Sequence, residues 1–242
     1  MQQVFAEPWR LRPAFQPILD LGRGSVWGFQ ALARFISPLR ASPPEWLEAA
    51  EALGLRTRLE ERLLVAALDA LDELPDGCRV LLPLGADAVA APAIQRRLSR
   101  AAGLARRILL DITAAGESID LDDFADAVEP VRRDGGGLAL LAGASPGGLD
   151  ALARLRPDVV KVGREYVADV ESDGARRSVV EGLVALVEAL GGRVLAVGIE
   201  DQGQLDALAK AGIALGQGFG LGRPLPSLAA NLTRAGGRLS CD

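Results

Sequence analysis

The chain has 242 residues, enough for one large α/β domain or two small ones, and 49% of them are hydrophobic, so a substantial core is available. Extended disorder is excluded on that composition. A net charge of -5 with no basic run argues against nucleic-acid binding, and the absence of histidine excludes His-based triads, His general bases and His metal ligands.

The apolar segments fall well short of the roughly 18 residues a membrane helix needs, so no membrane insertion is expected. The N-terminus lacks the apolar core of a signal peptide. Cys78 and Cys241 lie far apart and make no disulfide framework, which fits a reduced cytoplasmic setting.

In chain order, residues 1–13 read as a leader that packs loosely or adds an edge. Phe15 to Phe35 reads as a hairpin, with Gly22 and Gly24 free to take positive φ at the turn. Helical spacing follows at Trp46, Ala50 and Leu53, then at Leu59, Leu63, Ala67 and Leu71. From Cys78 the chain alternates. Strands are expected over 78–84, 106–113, 137–143, 158–163, 193–199 and, weakly, 214–220. Helices are expected over 92–102, 121–133, 149–155, 172–190 and 202–211, the fourth burying Val179, Leu183, Leu186 and Leu190. Residues 117–126, rich in acid, read as a solvated helix start. Continuous apolar strands between amphipathic helices imply parallel strands covered by helices. Periodicity leaves two architectures open, a closed barrel and a doubly wound open sheet. The glycines at 135–137 and 147–148 read as helix stops and turns, not phosphate loops. Trp27 is expected to pack under the first helix, with an exposed partner face as the alternative.

Three stretches carry a resemblance. The first is FQPILDLGRGSVWGFQALARF, Phe15 to Phe35. The second is LRPDVVKVGREYV, Leu155 to Val167. The third is AVGIEDQGQLDALAKAGIALGQGFGLGRPLP, Ala196 to Pro226. In this order and at these distances they resemble the EAL domain, the family of cyclic di-GMP phosphodiesterases. The resemblance implies a single α/β domain, a TIM-like (β/α)8 barrel over residues 14–230, followed by a C-terminal tail over 231–242.

The family holds one or two divalent cations on carboxylates and an asparagine, and a metal-bound water attacks the phosphorus. Carried onto this chain, the metal-binding glutamate is Gln30, the asparagine is Pro83, and a second glutamate is the shorter Asp111. The family's Asp-Asp pair is Leu141-Ala142, and the first glutamate of the Glu-Gly-Val-Glu motif is Val197. Lys161 and Glu200 are retained. The resemblance therefore implies no catalytic residues, no metal site, and loss of magnesium or manganese binding. Asp111, Lys161 and Glu200 are expected to form an internal ion-paired group rather than a leftover cation site. Gln16, Arg34, Glu200, Gln217 and Phe219 are the residues that would contact cyclic di-GMP. The plainer alternatives are an Arg34 that ties the mouth together through carbonyls and a Phe219 in the core.

The first expectation for function is an inactive EAL-domain protein acting as a regulatory protein-interaction module in bacterial signalling. Its partner would be an unidentified protein, with a homodimer left open. A non-catalytic cyclic di-GMP receptor is the alternative, and a residual phosphodiesterase the third reading.

Overall fold

A computed structural model describes residues 2–38, 41–73, 77–112, 120–142 and 148–226. Eight strands close into a barrel in sequence order: β1 (Leu11–Asp20), β2 (Ser25–Phe35), β3 (Arg79–Leu84), β4 (Ile108–Ile112), β5 (Gly137–Leu141), β6 (Val159–Val162), β7 (Arg193–Val197) and β8 (Leu215–Gln217). β1 runs antiparallel to both neighbours, and the remaining pairs are parallel. Closure excludes the doubly wound sheet. The ring of helices comprises α1 (Gln2–Ala6), α2 (Pro43–Ala52), α3 (Arg56–Asp69), α4 (Ala86–Val89), α5 (Pro92–Arg100), α6 (Leu121–Arg133), α7 (Leu149–Leu155), α8 (Arg164–Val167), α9 (Gly174–Ala189) and α10 (Gln202–Lys210).

The leader is more engaged than expected. Leu11 to Pro13 belong to β1, and Val4 is buried in a cluster with Leu11, Trp46, Ala50 and Leu59. At the hairpin turn Gly24 takes a φ of 66°, while Gly22 does not need the left-handed region. Pro43 and Pro44 start α2, where Ser42 and Glu45 form a capping box. Asp120 caps α6 by accepting from the backbone of Asp122 and Asp123, which fits the acidic helix start. Residues 117–119, 143–147 and the tail lie outside the described residues.

Three expected faces shift. Leu53 is exposed at the end of α2. α9 buries Val180, Val184 and Val187, while Val179 is exposed and Leu183, Leu186 and Leu190 are only partly covered. The helix carries two adjacent apolar rows, and the β-branched one faces the barrel. On α3, Leu59, Leu64 and Ala67 are buried together with Glu60. Cys78 is fully buried, and Cys241 lies outside the described residues.

The barrel encloses a small apolar layer of Ile18, Trp27, Leu81, Leu109, Ala139, Val159, Leu195 and Leu215. Trp27 thus lies inside the barrel, not under a helix. The cause is a register shift in β1–β2: Ile18 pairs with Gly28 and Leu19 with Val26, leaving Trp27 as the extra residue. A bulge of this kind re-aims a side chain that strict alternation would send outward.

Candidate functional site

Strand alternation places one residue of each strand two positions beyond the apolar layer, or three on β2 where Trp27 is the extra residue, toward the C-terminal ends of the parallel strands. The ring they form is Gln16, Gln30, Pro83, Asp111, Leu141, Lys161, Val197 and Gln217. Pairing registers support the level: Gln16 opposes Gln30, Pro83 opposes Asp111, Leu141 opposes Lys161, and Val197 opposes Gln217. Every one of these had been singled out in the sequence, and in barrels of this type this end carries the chemistry.

Four members of the ring form one buried network. Lys161 Nζ lies 2.8 Å from both Oδ1 and Oδ2 of Asp111. Gln30 Nε2 donates to Asp111 Oδ2 at 2.7 Å, and Gln217 Nε2 donates to Gln30 Oε1 at 3.0 Å. All four residues are buried. A carboxylate with no exposure is tolerated here because an ammonium and an amide satisfy it. Of the two expected carboxylate partners, Lys161 thus takes Asp111.

Glu200 stands apart. Its Oε1 lies 2.8 Å from an Arg164 guanidinium nitrogen, and both side chains are well exposed. Gln16 is buried, and its Nε2 donates to Gly222 O at 2.9 Å, which ties β1 to the segment after β8. Gln217 has no exposed surface, and its side chain donates to Gln30. Phe219 is exposed rather than in the core, with the Arg223 guanidinium 4.9 Å from its ring centroid. Arg34 is exposed at the end of β2 and donates to its neighbour's carbonyl, Ala33 O, at 2.8 Å. Partial burial pushes its pKa down, yet a guanidinium stays charged. Ala142 directly follows β5, and its backbone N–H donates to Lys161 O.

Beside this ring is a cavity of about 380 Å³ between β2, β3, α2 and α3. Gln30, Leu32, Pro44, Leu47, Leu64 and Pro83 line it, together with one charged side chain, Glu60. Glu60 is 3% exposed. Its Oε1 accepts from Arg56 Nε at 2.8 Å and from the Gly85 backbone at 3.2 Å. Its Oε2 is buried and has no hydrogen-bond partner among the described residues. Burial pushes the Glu60 pKa up, against the lowering effects of Arg56 and the Gly85 N–H. A buried acceptor oxygen without a partner calls for a donor. Sequence reasoning missed Glu60. Its signal was present, because Glu60, Leu64 and Ala67 share one helical face and Arg56 lies one turn earlier.

Among known proteins, the chain is 28% identical over 223 residues to the cyclic di-GMP phosphodiesterase NbdA of Pseudomonas aeruginosa, a match that covers 88% of this chain and 27% of NbdA. It is 25% identical over 225 residues to the probable cyclic di-GMP phosphodiesterase PdeG of Escherichia coli, covering 88% of this chain and 44% of PdeG. The chain spans less than half the length of these curated relatives. Among solved structures, the PaMucR phosphodiesterase in complex with c-di-GMP superposes with a TM-score of 0.83 at 25% identity, over 95% of this chain and 97% of that one. A calcium and cyclic di-GMP complex of Klebsiella pneumoniae BlrP1 gives a TM-score of 0.79 at 30% identity, over 90% of this chain and 57% of that one. The EAL domain model matches residues 3–224, which include the whole barrel and every residue of the ring, and the chain therefore belongs to the EAL-domain family.

Proposed function

We propose that this chain is a non-catalytic receptor for cyclic di-GMP, in which the cavity at Glu60 takes one guanine base and Arg34 a phosphate. The observation that carries the reading is the buried, unpartnered Oε2 of Glu60, the one charged residue among those that line an apolar cavity beside the barrel mouth. Guanine offers a ring N–H and an exocyclic amino group on one edge, a donor pair that suits a carboxylate, whereas adenine presents an acceptor at the ring nitrogen. Arg34 has a fork geometry suited to a phosphate. Solved structures of similar chains hold cyclic di-GMP, which agrees with this ligand. The cavity ranks this reading above that of a protein-interaction module.

The same ring speaks against hydrolysis. A hard divalent cation needs about six oxygen ligands, several of them anionic. Asp111 already receives an ammonium on both oxygens. Gln30 presents a neutral amide, and Pro83, Leu141 and Val197 carry no side-chain donor atom. Among the described residues no cluster of three or more metal-ligating side chains occurs. This donor set does not fit the family's metal, and we derive no hydrolytic step.

Calorimetric titration of cyclic di-GMP in EDTA tests the reading. Micromolar binding is expected, lost in Arg34→Ala, with cyclic di-AMP much weaker. Magnesium is expected to leave the affinity unchanged and to produce no linear dinucleotide on chromatography. Absence of heat at millimolar ligand, or turnover with magnesium, would overturn it.

Glu60→Gln separates binding from folding. Because the folded pKa of Glu60 is raised, the native state holds the proton more tightly than the unfolded chain. Stability is then greatest below the ordinary carboxylate pKa and falls as pH rises through the raised one. Glutamine removes that cost. At pH 7 the variant is expected to melt no lower than wild type, while cyclic di-GMP binds about tenfold more weakly, about 1.4 kcal/mol. A variant with unchanged affinity would remove the guanine from this cavity.

A further inference from the structure

The reading above leaves one phosphate of a dianionic ligand without a counter-charge. Inside the barrel, Lys161 and Asp111 neutralise each other. The positive charge must come from the rim. Arg34 ends β2, and Arg164 follows β6 directly after Gly163. In a closed eight-strand order these two strands stand opposite each other.

Arg164 is held over the rim by its surroundings. Its Cβ lies 3.6 Å from the position a Cβ would occupy on Gly198, and Gly198 takes a φ of 94° in the turn after β7. A methyl at residue 198 would touch the Arg164 stem at ordinary van der Waals distance. From there the guanidinium reaches Glu200 at 2.8 Å. Glu200 is itself held, since its backbone N–H donates to Gln204 Oε1 at 2.8 Å. The pair is 71% and 49% exposed at its two side chains. An ion pair in that much water contributes little and is easily exchanged. A phosphate that meets the guanidinium through two parallel hydrogen bonds is the stronger partner.

We infer that Arg164 is the second phosphate-binding residue of this site, and that Glu200 is the competing counter-ion that occupies its guanidinium until ligand arrives. Two opposed arginines then neutralise the dianion without a metal. The inference rests on the cyclic di-GMP reading. It assigns Glu200 a role opposite to direct ligand contact, because its carboxylate competes with the phosphate for Arg164.

The test is titration of cyclic di-GMP in EDTA into wild type, Arg164→Gln, Glu200→Gln and the control Arg133→Gln. Arg133 is exposed in the last turn of α6. Thermal melts confirm that each variant is folded. Arg164→Gln is expected to bind at least tenfold more weakly and to show a smaller loss of affinity with added salt. Glu200→Gln is expected to bind as tightly as wild type or a few-fold tighter, and Arg133→Gln to match wild type. Equal affinity of wild type and Arg164→Gln would overturn the inference while leaving the receptor reading intact. So would a loss in Glu200→Gln as large as that in Arg164→Gln. Absence of binding by wild type would remove the receptor reading itself, and this inference with it.

Discussion

Replacing Lys161 with methionine is expected to lower stability by about 3–5 kcal/mol, because it leaves a fully buried carboxylate without its cation. For a chain of this length that corresponds to a fall in melting temperature of roughly 10 °C. Asp111 would keep one hydrogen bond, from Gln30 Nε2, which does not replace an ammonium placed on both oxygens. The second arm is the double variant Asp111→Leu with Lys161→Met. Removing the whole pair is close to neutral when the replacements pack, so most of the lost stability should return. The remainder measures what Gln30 loses when its acceptor goes. Denaturant unfolding gives both values. A Lys161→Met loss below about 1 kcal/mol would mean that the pair is solvated, and the argument against a metal at this ring would lose its main support.

The ring was legible in the sequence through the resemblance to the EAL domain, which singled out its positions one by one. Strand alternation accounts for several of the polar members, which lie two residues past an inward apolar position. That pattern puts Asp111 two residues after Leu109, Lys161 two after Val159 and Gln217 two after Leu215. What the sequence could not show is which charged groups pair across the barrel. Lys161 was equally free to meet Asp111, Glu200 or both. The answer depends on Glu200 lying three residues beyond β7, on the rim, where Arg164 reaches it first.

Helix faces were harder for a related reason. α9 is apolar on two neighbouring rows, so spacing alone selects neither Leu183 nor Val184. On α3 the search for apolar periodicity passed over Glu60, because a glutamate in a helix reads as solvated unless its neighbours one and two turns on are buried. That omission mattered most, since Glu60 supplies the free oxygen on which the ligand reading stands.

Trp27→Ala is expected to cost about 3–5 kcal/mol, the usual penalty for deleting a buried aromatic ring. The barrel interior below the ring is narrow, and Ala139 and Val159 leave space that the indole fills alongside Leu81, Leu109 and Leu195. The Arg79 and Arg193 guanidiniums lie 5.5 and 5.9 Å from the indole ring, and Asp20 holds Arg193 at 2.6 Å. These contacts close the end of the barrel remote from the mouth, where a residue stabilises the fold rather than touching ligand. Trp27→Phe keeps most of the ring and should lose roughly half as much, with the size of the residual cavity setting the difference. Cyclic di-GMP affinity of both variants is expected to stay within about twofold of wild type, a change of less than 1.4 kcal/mol. A Trp27→Ala protein that melts like wild type would mean that the indole does not fill the barrel. Lost affinity in a variant that remains folded would mean that the two ends of the barrel are coupled, and the separation of fold from site drawn at the polar ring would have to be abandoned.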